Sequence, residues 1–175
     1  MLILEVSKKL ENELKINTHN VIPMEEDKFY SWHANLFMYN RRKCIIFMND
    51  KTRYCFVLYG LKKEQFKNLQ SIITDAISEN FIIEGFDKEV VDNYVQKLGY
   101  VLYSKSNDRV TMGQMSDMEY ITIQSYFKAH IQDDRINQVE LNKKLNRTIL
   151  GKWKYLYGIQ GLEEELAGKK VVMPL

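Results

Sequence analysis

The chain has 175 residues, of which 45% are hydrophobic and 27% are charged, and its formal net charge is +2. These values are typical of one globular domain with an apolar core, and they exclude a disordered or strongly basic chain. The two cysteines are too few for a disulfide framework. We predict a single domain over residues 1–175, with residues 151–175 as a peripheral tail.

The first strand and helix are predicted at the start of the chain. Met1–Val6 is rich in Leu and Ile, which favours a short strand. Ser7 is a good N-cap for a helix that runs to about Leu14. The basic residues follow the apolar run, which is the reverse of a secretory signal, and no segment approaches the roughly 20 apolar residues of a membrane span. We therefore predict a cytoplasmic protein with no membrane partner.

Three apolar runs separated by turn residues occupy the centre of the chain, from about Ser31 to Tyr59. The runs are Trp32–Tyr39, Cys44–Met48 and Tyr54–Tyr59. Polar residues suited to turns separate them, which predicts a three-stranded antiparallel meander. Because both sides of these strands are apolar, we expect both faces of the sheet to be largely covered.

The rest of the chain shows mainly helical periodicity. A buried stripe predicts a helix over Lys63–Phe81, and a second helix runs from an Asp87 cap to Gly99. Further elements are a strand at Tyr100–Ser104, a helix from about Asp108, a helix capped by Asp133 or Asp134 that runs to about Leu150, and a short helix near Gly161–Ala167. We predict an α+β fold in which Met1–Val6 and Tyr100–Ser104 join the meander in a small antiparallel sheet, with helices packed against it.

The spacing of the histidines and cysteines does not favour a metal site or a catalytic cysteine. The three histidines, His19, His33 and His130, include no pair with close ligand spacing. Cys44 and Cys55 fall on neighbouring predicted strands, where cysteines usually act as small buried hydrophobes. The sequence therefore predicts no metal site and no cofactor.

A polar pair interrupts the first run of the meander. Alternation sends His33 and Asn35 to the side opposite Trp32, where an imidazole and a carboxamide suit a planar polar ligand or proton transfer. The alternative is that both side chains satisfy backbone groups at the edge of the sheet. The remaining candidate ligand-binding residues are the basic groups Arg41, Arg42 and Arg109.

Arg109 belongs to the polar segment Lys105–Arg109, which stands between a predicted strand and a predicted helix. Exposed amides at a helix start, together with Lys and Arg, favour an anion site. The same segment is equally typical of a capped turn that carries a surface ion pair.

A basic and aromatic segment lies near the end of the chain. The basic residues are Lys143, Lys144, Arg147, Lys152 and Lys154, and Trp153, Tyr155 and Tyr157 are interleaved with them. Such residues neutralise phosphates and stack on bases, which indicates contact with nucleic acid. Alternatively, the basic residues complement the helix dipole and the aromatic residues belong to the core.

Several blocks of sequence resemble an uncharacterised bacterial domain family, and together they cover most of the chain in family order. The more specific blocks are Trp32–Leu36, Arg41–Cys44, Phe47–Asp50 and the Gly-Xaa-Met-Xaa-Asp-Met motif at Gly113–Met118. The chain departs from the family pattern at Ile149, where the family usually has proline. The resemblance implies an intact single domain and a bacterial origin, and it implies no activity.

Three functional hypotheses follow. The first is a non-enzymatic interaction or ligand-binding module that uses the sheet edge and the polar end of the hairpin. The second is a nucleic-acid-associated protein that uses residues 143–157. The third is a small enzyme in which His33 is the acid or base for an anionic substrate. The partner is then a protein or a small molecule, a nucleic acid, or a second copy of the chain.

Overall fold

A five-stranded mixed sheet organises the protein, whose computed structural model describes residues 1–19, 27–130 and 136–167. The strand order across the sheet is β4-β3-β2-β1-β5. The strands are β1 (Leu2–Val6), β2 (Ser31–Tyr39), β3 (Arg42–Asn49), β4 (Cys55–Leu61) and β5 (Val101–Lys105).

The central meander is confirmed, because β2 pairs with β3 and β3 with β4 in antiparallel fashion. The β2–β3 turn consists of Asn40 and Arg41, whose φ angles of 48° and 63° match the twist of a tight hairpin. The α+β class is also confirmed, but the sheet is mixed rather than purely antiparallel. Strand β1 runs parallel to both β2 and β5, because a helix-containing connection returns the chain to the same end of the sheet.

Helices cover both faces of the sheet. They are α1 (Lys8–Leu14), α2 (Lys63–Lys67), α3 (Leu69–Ile83), α4 (Lys88–Leu98), α5 (Arg109–Ile121), α6 (Gln138–Leu145) and α7 (Gly158–Ala167), and the π-helix Thr122–Phe127 continues α5. Ser7 caps α1 as predicted, with its hydroxyl accepting from the Leu10 N–H. The helix predicted over Lys63–Phe81 is divided at Asn68. The predicted caps Asp133 and Asp134 lie outside the described residues, and Asn137 caps α6.

Each face of the sheet carries its own core. On the first face, Trp32 and Ala34 pack with residues of α3 and α4. On the second face, Cys44 and Met48 of β3 and Cys55 of β4 pack against α5, the π-helix and α6. Helix α7 lies in the segment expected to be peripheral, and it contributes Ile159, Leu162 and Leu166 to the first core.

Helix α6 covers the backbone of the edge strand β4 with a row of amide side chains. Each amide oxygen accepts from a β4 backbone N–H at 2.6–2.8 Å: Gln138 from Tyr59, Asn142 from Val57, and Asn146 from Cys55. Four residues of helix rise about 6.0 Å and two residues of strand about 6.7 Å, so the two repeats stay in step over three contacts. We call this row the amide ladder, and it satisfies backbone groups that an edge strand otherwise leaves open.

Replacing Asn146 with alanine tests the amide ladder. The Asn146 amide both accepts from the Cys55 N–H and donates to the Cys55 carbonyl at 2.6 Å. Because both backbone groups would stay buried without partners, we expect the free energy of unfolding to fall by about 2–4 kcal/mol. Urea denaturation followed by circular dichroism measures the change. Gln138→Ala, at the less buried end of the ladder, serves as the control with a smaller loss. Equal midpoints for Asn146→Ala and the wild type would contradict this role.

Candidate functional site

A set of charged side chains is gathered where β1, β2 and the β3–β4 turn meet, on the second face of the sheet. Glu5 is the register partner of His33 in the parallel β1–β2 pair, so both side chains point to the same face. Asp50 follows directly after β3. His33 is completely buried, whereas the Glu5 side chain is 22% exposed and is the member that reaches solvent.

The His33 imidazole has a carboxylate on each side. Its Nδ1 forms a hydrogen bond of 2.6 Å with Asp50 Oδ1. Its Nε2 lies 3.2 Å from Glu5 Oε2, close enough for an ion pair, yet the two atoms are not aligned as a hydrogen bond. Within the described residues, the buried Nε2 therefore has no hydrogen-bond partner.

Burial and the two carboxylates act in opposite directions on the imidazole. Burial lowers the pKa of His33, but the hydrogen bond to Asp50 and the nearby Glu5 carboxylate raise it to about 9 overall. Burial also raises the pKa of Asp50, against the stabilising effect of the imidazolium. The cluster thus favours a positive charge between two carboxylates.

The charges continue through Arg53, whose side chain is 1% exposed. Its guanidinium donates to the Asp50 carbonyl at 2.6 Å and to Gln114 Oε1 at 2.7 Å, and it lies 3.7 Å from Asp108 Oδ2. The guanidinium carbon also lies 3.9 Å from the centre of the Trp153 ring. We call these alternating charges the charged row, which comprises Glu5, His33, Asp50, Arg53 and Asp108.

The loop after β5 lies against Glu5. The Asn107 N–H donates to Glu5 Oε2 at 3.4 Å, and the Ser106 N–H donates to the Val6 carbonyl at 3.3 Å. The register partner of Glu5 in β5 is Ser104, and Ser106 is two residues further along the chain. The Ser106 hydroxyl is buried, and in the described part of the chain it has no hydrogen-bond partner. A second buried polar atom without a partner, after His33 Nε2, thus lies in the loop that contacts Glu5 through the Asn107 N–H.

Comparison with known protein families identifies this domain. The family model called domain of unknown function DUF6933 matches residues 3–160. The chain belongs to the DUF6933 family. This confirms the resemblance to an uncharacterised family, and the matched region includes the whole charged row. No curated protein and no solved structure matches the chain. None of the helices in the described ranges has the length and apolar character needed to cross a bilayer.

The DUF6933 domain brings some of the predicted ligand-binding residues together and separates others. Asn35 lies on the same face as His33, and its amide donates to Glu119 at 2.8 Å. Arg109 is the first residue of α5, directly after Asp108 of the charged row.

The two hairpin arginines lie at the other end of the strands. Arg42 pairs with Tyr39, six residues along β2 from His33, which corresponds to about 20 Å. The Arg42 guanidinium lies 5.7 Å from the centre of the Tyr59 ring. Arg41 stands next to it in the turn. The structure therefore does not place Arg41 and Arg42 around His33.

Most of the predicted nucleic-acid-binding residues have acidic neighbours. Arg147 forms a two-pronged pair with the buried carboxylate of Glu84 at 2.6 and 3.2 Å. Lys144 lies 3.1 Å from Glu140, and Lys154 lies 3.1 Å from Glu164. Lys152 is exposed in the segment before α7. Lys143 and Lys144 line a groove of about 660 Å³ beside Tyr126, between α6 and the π-helix.

The sequence does not single out Glu5, Asp50 or Arg53 as site residues. Asp50 and Arg53 lie in a polar segment that is typical of an ordinary turn. The spacing of residues along the chain does not reveal side chains that come together from separate strands. The available signal is the single acid within the apolar run Leu2–Val6. In the fold, polar atoms of Glu5, His33 and Asp50 all lie within 4.8 Å of one another.

Asp50→Asn tests the buried ion pair. The change keeps the shape of the side chain but removes the charge beside the imidazolium. We expect the free energy of unfolding to fall by about 2 kcal/mol, because the buried imidazolium loses a hydrogen bond to a charged group and keeps only Glu5 as a carboxylate partner. Urea denaturation measures this. Asp92→Asn, whose carboxylate is 55% exposed beside Lys88, is the control with little expected change. Wild-type stability in Asp50→Asn would rule out a stabilising pair.

Proposed function

We propose that this DUF6933 domain is a non-enzymatic ligand-binding module, and that its ligand binds at the Glu5 end of the charged row. The observation that carries the proposal is the buried His33 Nε2, which has no hydrogen-bond partner in the described ranges and lies 3.2 Å from the partly exposed Glu5 carboxylate. Buried polar groups in folded proteins are almost always bonded. An unsatisfied atom beside a partly exposed carboxylate therefore favours a bound group that completes the network.

The composition of the charged row supports a functional rather than a structural role. Taking charges out of water is expensive, and apolar residues of similar size often stabilise a protein as well as a buried ion pair does. Buried groups with perturbed pKa values are frequent at functional sites. The two ends that reach solvent are the carboxylates of Glu5 and Asp108, at 22% and 38% exposure. The ligand that suits these ends carries positive charge or hydrogen-bond donors.

Binding suits the geometry better than catalysis does. A catalytic acid or base must reach the reacting atom of its substrate. His33 is flanked by carboxylates on both sides, which leaves neither ring nitrogen free for a substrate proton. The enzyme hypothesis also requires Arg41 and Arg42 near the imidazole, and Arg42 lies about 20 Å along the hairpin.

We also propose that the protein acts in the bacterial cytoplasm. Cys44 and Cys55 are both free and buried, which is typical of proteins in a reducing compartment. Burial raises the pKa of Cys44 to about 11 and that of Cys55 to about 12, so neither thiol is activated for reaction. The bacterial origin rests on the resemblance of the sequence blocks.

Native mass spectrometry of gently purified protein tests the ligand-binding proposal. We expect one bound species per chain in the wild type and a strong loss of its occupancy in Glu5→Gln. Glu13→Gln is the matched control, because the Glu13 side chain is 24% exposed and also pairs with a cation, Lys43. Its occupancy should equal that of the wild type. The mass of the bare chain in all three proteins would overturn the proposal.

A second candidate function, contact with nucleic acid, is favoured by the groove that Lys143, Lys144 and Tyr126 line. Lysines neutralise phosphates, and an aromatic ring offers a stacking surface for a base. Arg147 lines the same groove and pairs with the buried Glu84, whereas Lys144 pairs with an exposed acid, Glu140, and its own side chain is 62% exposed.

A Lys143→Gln/Lys144→Gln double variant tests this second candidate. Fluorescence anisotropy with a single-stranded oligonucleotide at several salt concentrations gives the slope of log K against log salt. Each lost phosphate contact reduces the slope by about 0.7, so we expect a reduction of about 1.4. Lys63→Gln/Lys67→Gln, two exposed lysines on α2, is the control of equal charge change. Failure of the wild type to bind any oligonucleotide removes this candidate.

A further inference from the structure

The distance between His33 Nε2 and Glu5 Oε2 suits two ligands of one metal ion, and the contact does not meet hydrogen-bond geometry. We propose that the ligand of this site is a divalent first-row transition-metal ion, bound by His33 Nε2 and the Glu5 carboxylate. Asp50 orients the imidazole, and water completes the coordination on the side where Glu5 reaches solvent. This inference rests on the proposed ligand-binding function and names the chemical class of the ligand.

The distance between the two ligand atoms fits a shared ion. With metal–ligand bonds of about 2.1 Å, two ligand atoms lie about 3.0 Å apart at a right angle and about 3.4 Å apart at a tetrahedral angle. His33 Nε2 and Glu5 Oε2 are 3.2 Å apart. The contact does not meet the distance and angle limits of a hydrogen bond. Nε2 and Oε2 therefore lie at the spacing of two ligands of one ion without being joined by a well-formed hydrogen bond.

The other side of the imidazole is arranged as in many metal-bound histidines. In such sites the ring nitrogen that does not bind the metal donates to a carboxylate, which fixes the tautomer and the ring orientation. His33 Nδ1 has this partner in Asp50 Oδ1 at 2.6 Å. Asp50 is itself 8% exposed, so the imidazole is held within a buried frame.

The negative charge of the two carboxylates and the solvent exposure of Glu5 also suit a small cation. The carboxylates of Glu5 and Asp50 stand on either side of the imidazole, and ligand atoms of all three residues lie within 4.8 Å of one another, which favours a divalent cation. The exposed part of Glu5 leaves room for water to complete the coordination. An imidazole with a carboxylate selects ions such as Zn²⁺, Mn²⁺ or Co²⁺ rather than Mg²⁺ or Ca²⁺, which prefer oxygen ligands alone.

Cobalt is the probe that tests this site, since Co²⁺ reports its coordination in the visible spectrum. Calorimetric and spectroscopic titration of chelator-treated protein with CoCl₂ should give one ion per chain. We expect Asp50→Asn to weaken binding by about 10- to 100-fold while Co²⁺ absorption still reports a bound ion, as for loss of an orienting carboxylate. Glu5→Gln should weaken it at least as much, and Glu13→Gln should bind like the wild type. Circular dichroism verifies that each variant is folded.

The outcomes separate the metal from the broader proposal. Absence of Co²⁺ and Zn²⁺ binding by the folded wild type overturns the metal site, and so does wild-type affinity in Glu5→Gln. If neither ion binds but native mass spectra show an organic ligand that depends on Glu5, the metal inference fails and the proposed function stands. If neither ion binds and the mass spectra show the bare chain, both fail.

Discussion

The register of β1 against β2 is the constraint on which the candidate site depends. Leu2, Leu4 and Val6 enter the first core, and this leaves Glu5 on the second face beside His33. A slip of one residue would exchange the two faces of β1 and bring the carboxylate into the apolar core. The buried apolar residues of the strand therefore hold the charged residue in place, so packing on one face determines the chemistry of the other.

The turn between β3 and β4 is held from two directions, which explains how it carries strained and charged residues. Asn49 Oδ1 accepts from the backbone N–H groups of Lys51 and Thr52, and its amide nitrogen donates to the Phe29 carbonyl. Helix α7 approaches from the other side so closely that a Cβ on Gly161 would lie 2.6 Å from the Thr52 carbonyl oxygen. Such a rigid frame allows Arg53 its φ of 63° beside the charged row.

The features that are local along the chain follow from the sequence, and those that join distant segments do not. Alternation and turn residues predict the meander, and Ser7 predicts the start of α1. The parallel pairing of β1 leaves no comparable signal, because its neighbours in the sheet are far away in the chain. For the same reason His33 stands out as a polar residue on an apolar strand, whereas its partners Glu5 and Asp50 are recognised only once the strands are assembled.

The amide ladder has a consequence for the growing chain. Asn146 is 91 positions beyond Cys55, so at 5–20 residues per second the ribosome completes the ladder roughly 5–18 s after it adds Cys55, the first residue of β4. During that interval β4 is an uncovered and largely apolar edge, which is a template for pairing with a neighbouring nascent chain. Translation that stalls between the two elements leaves this edge permanently open. Helix α6 thus closes, in the finished protein, an edge that is open while the chain is incomplete.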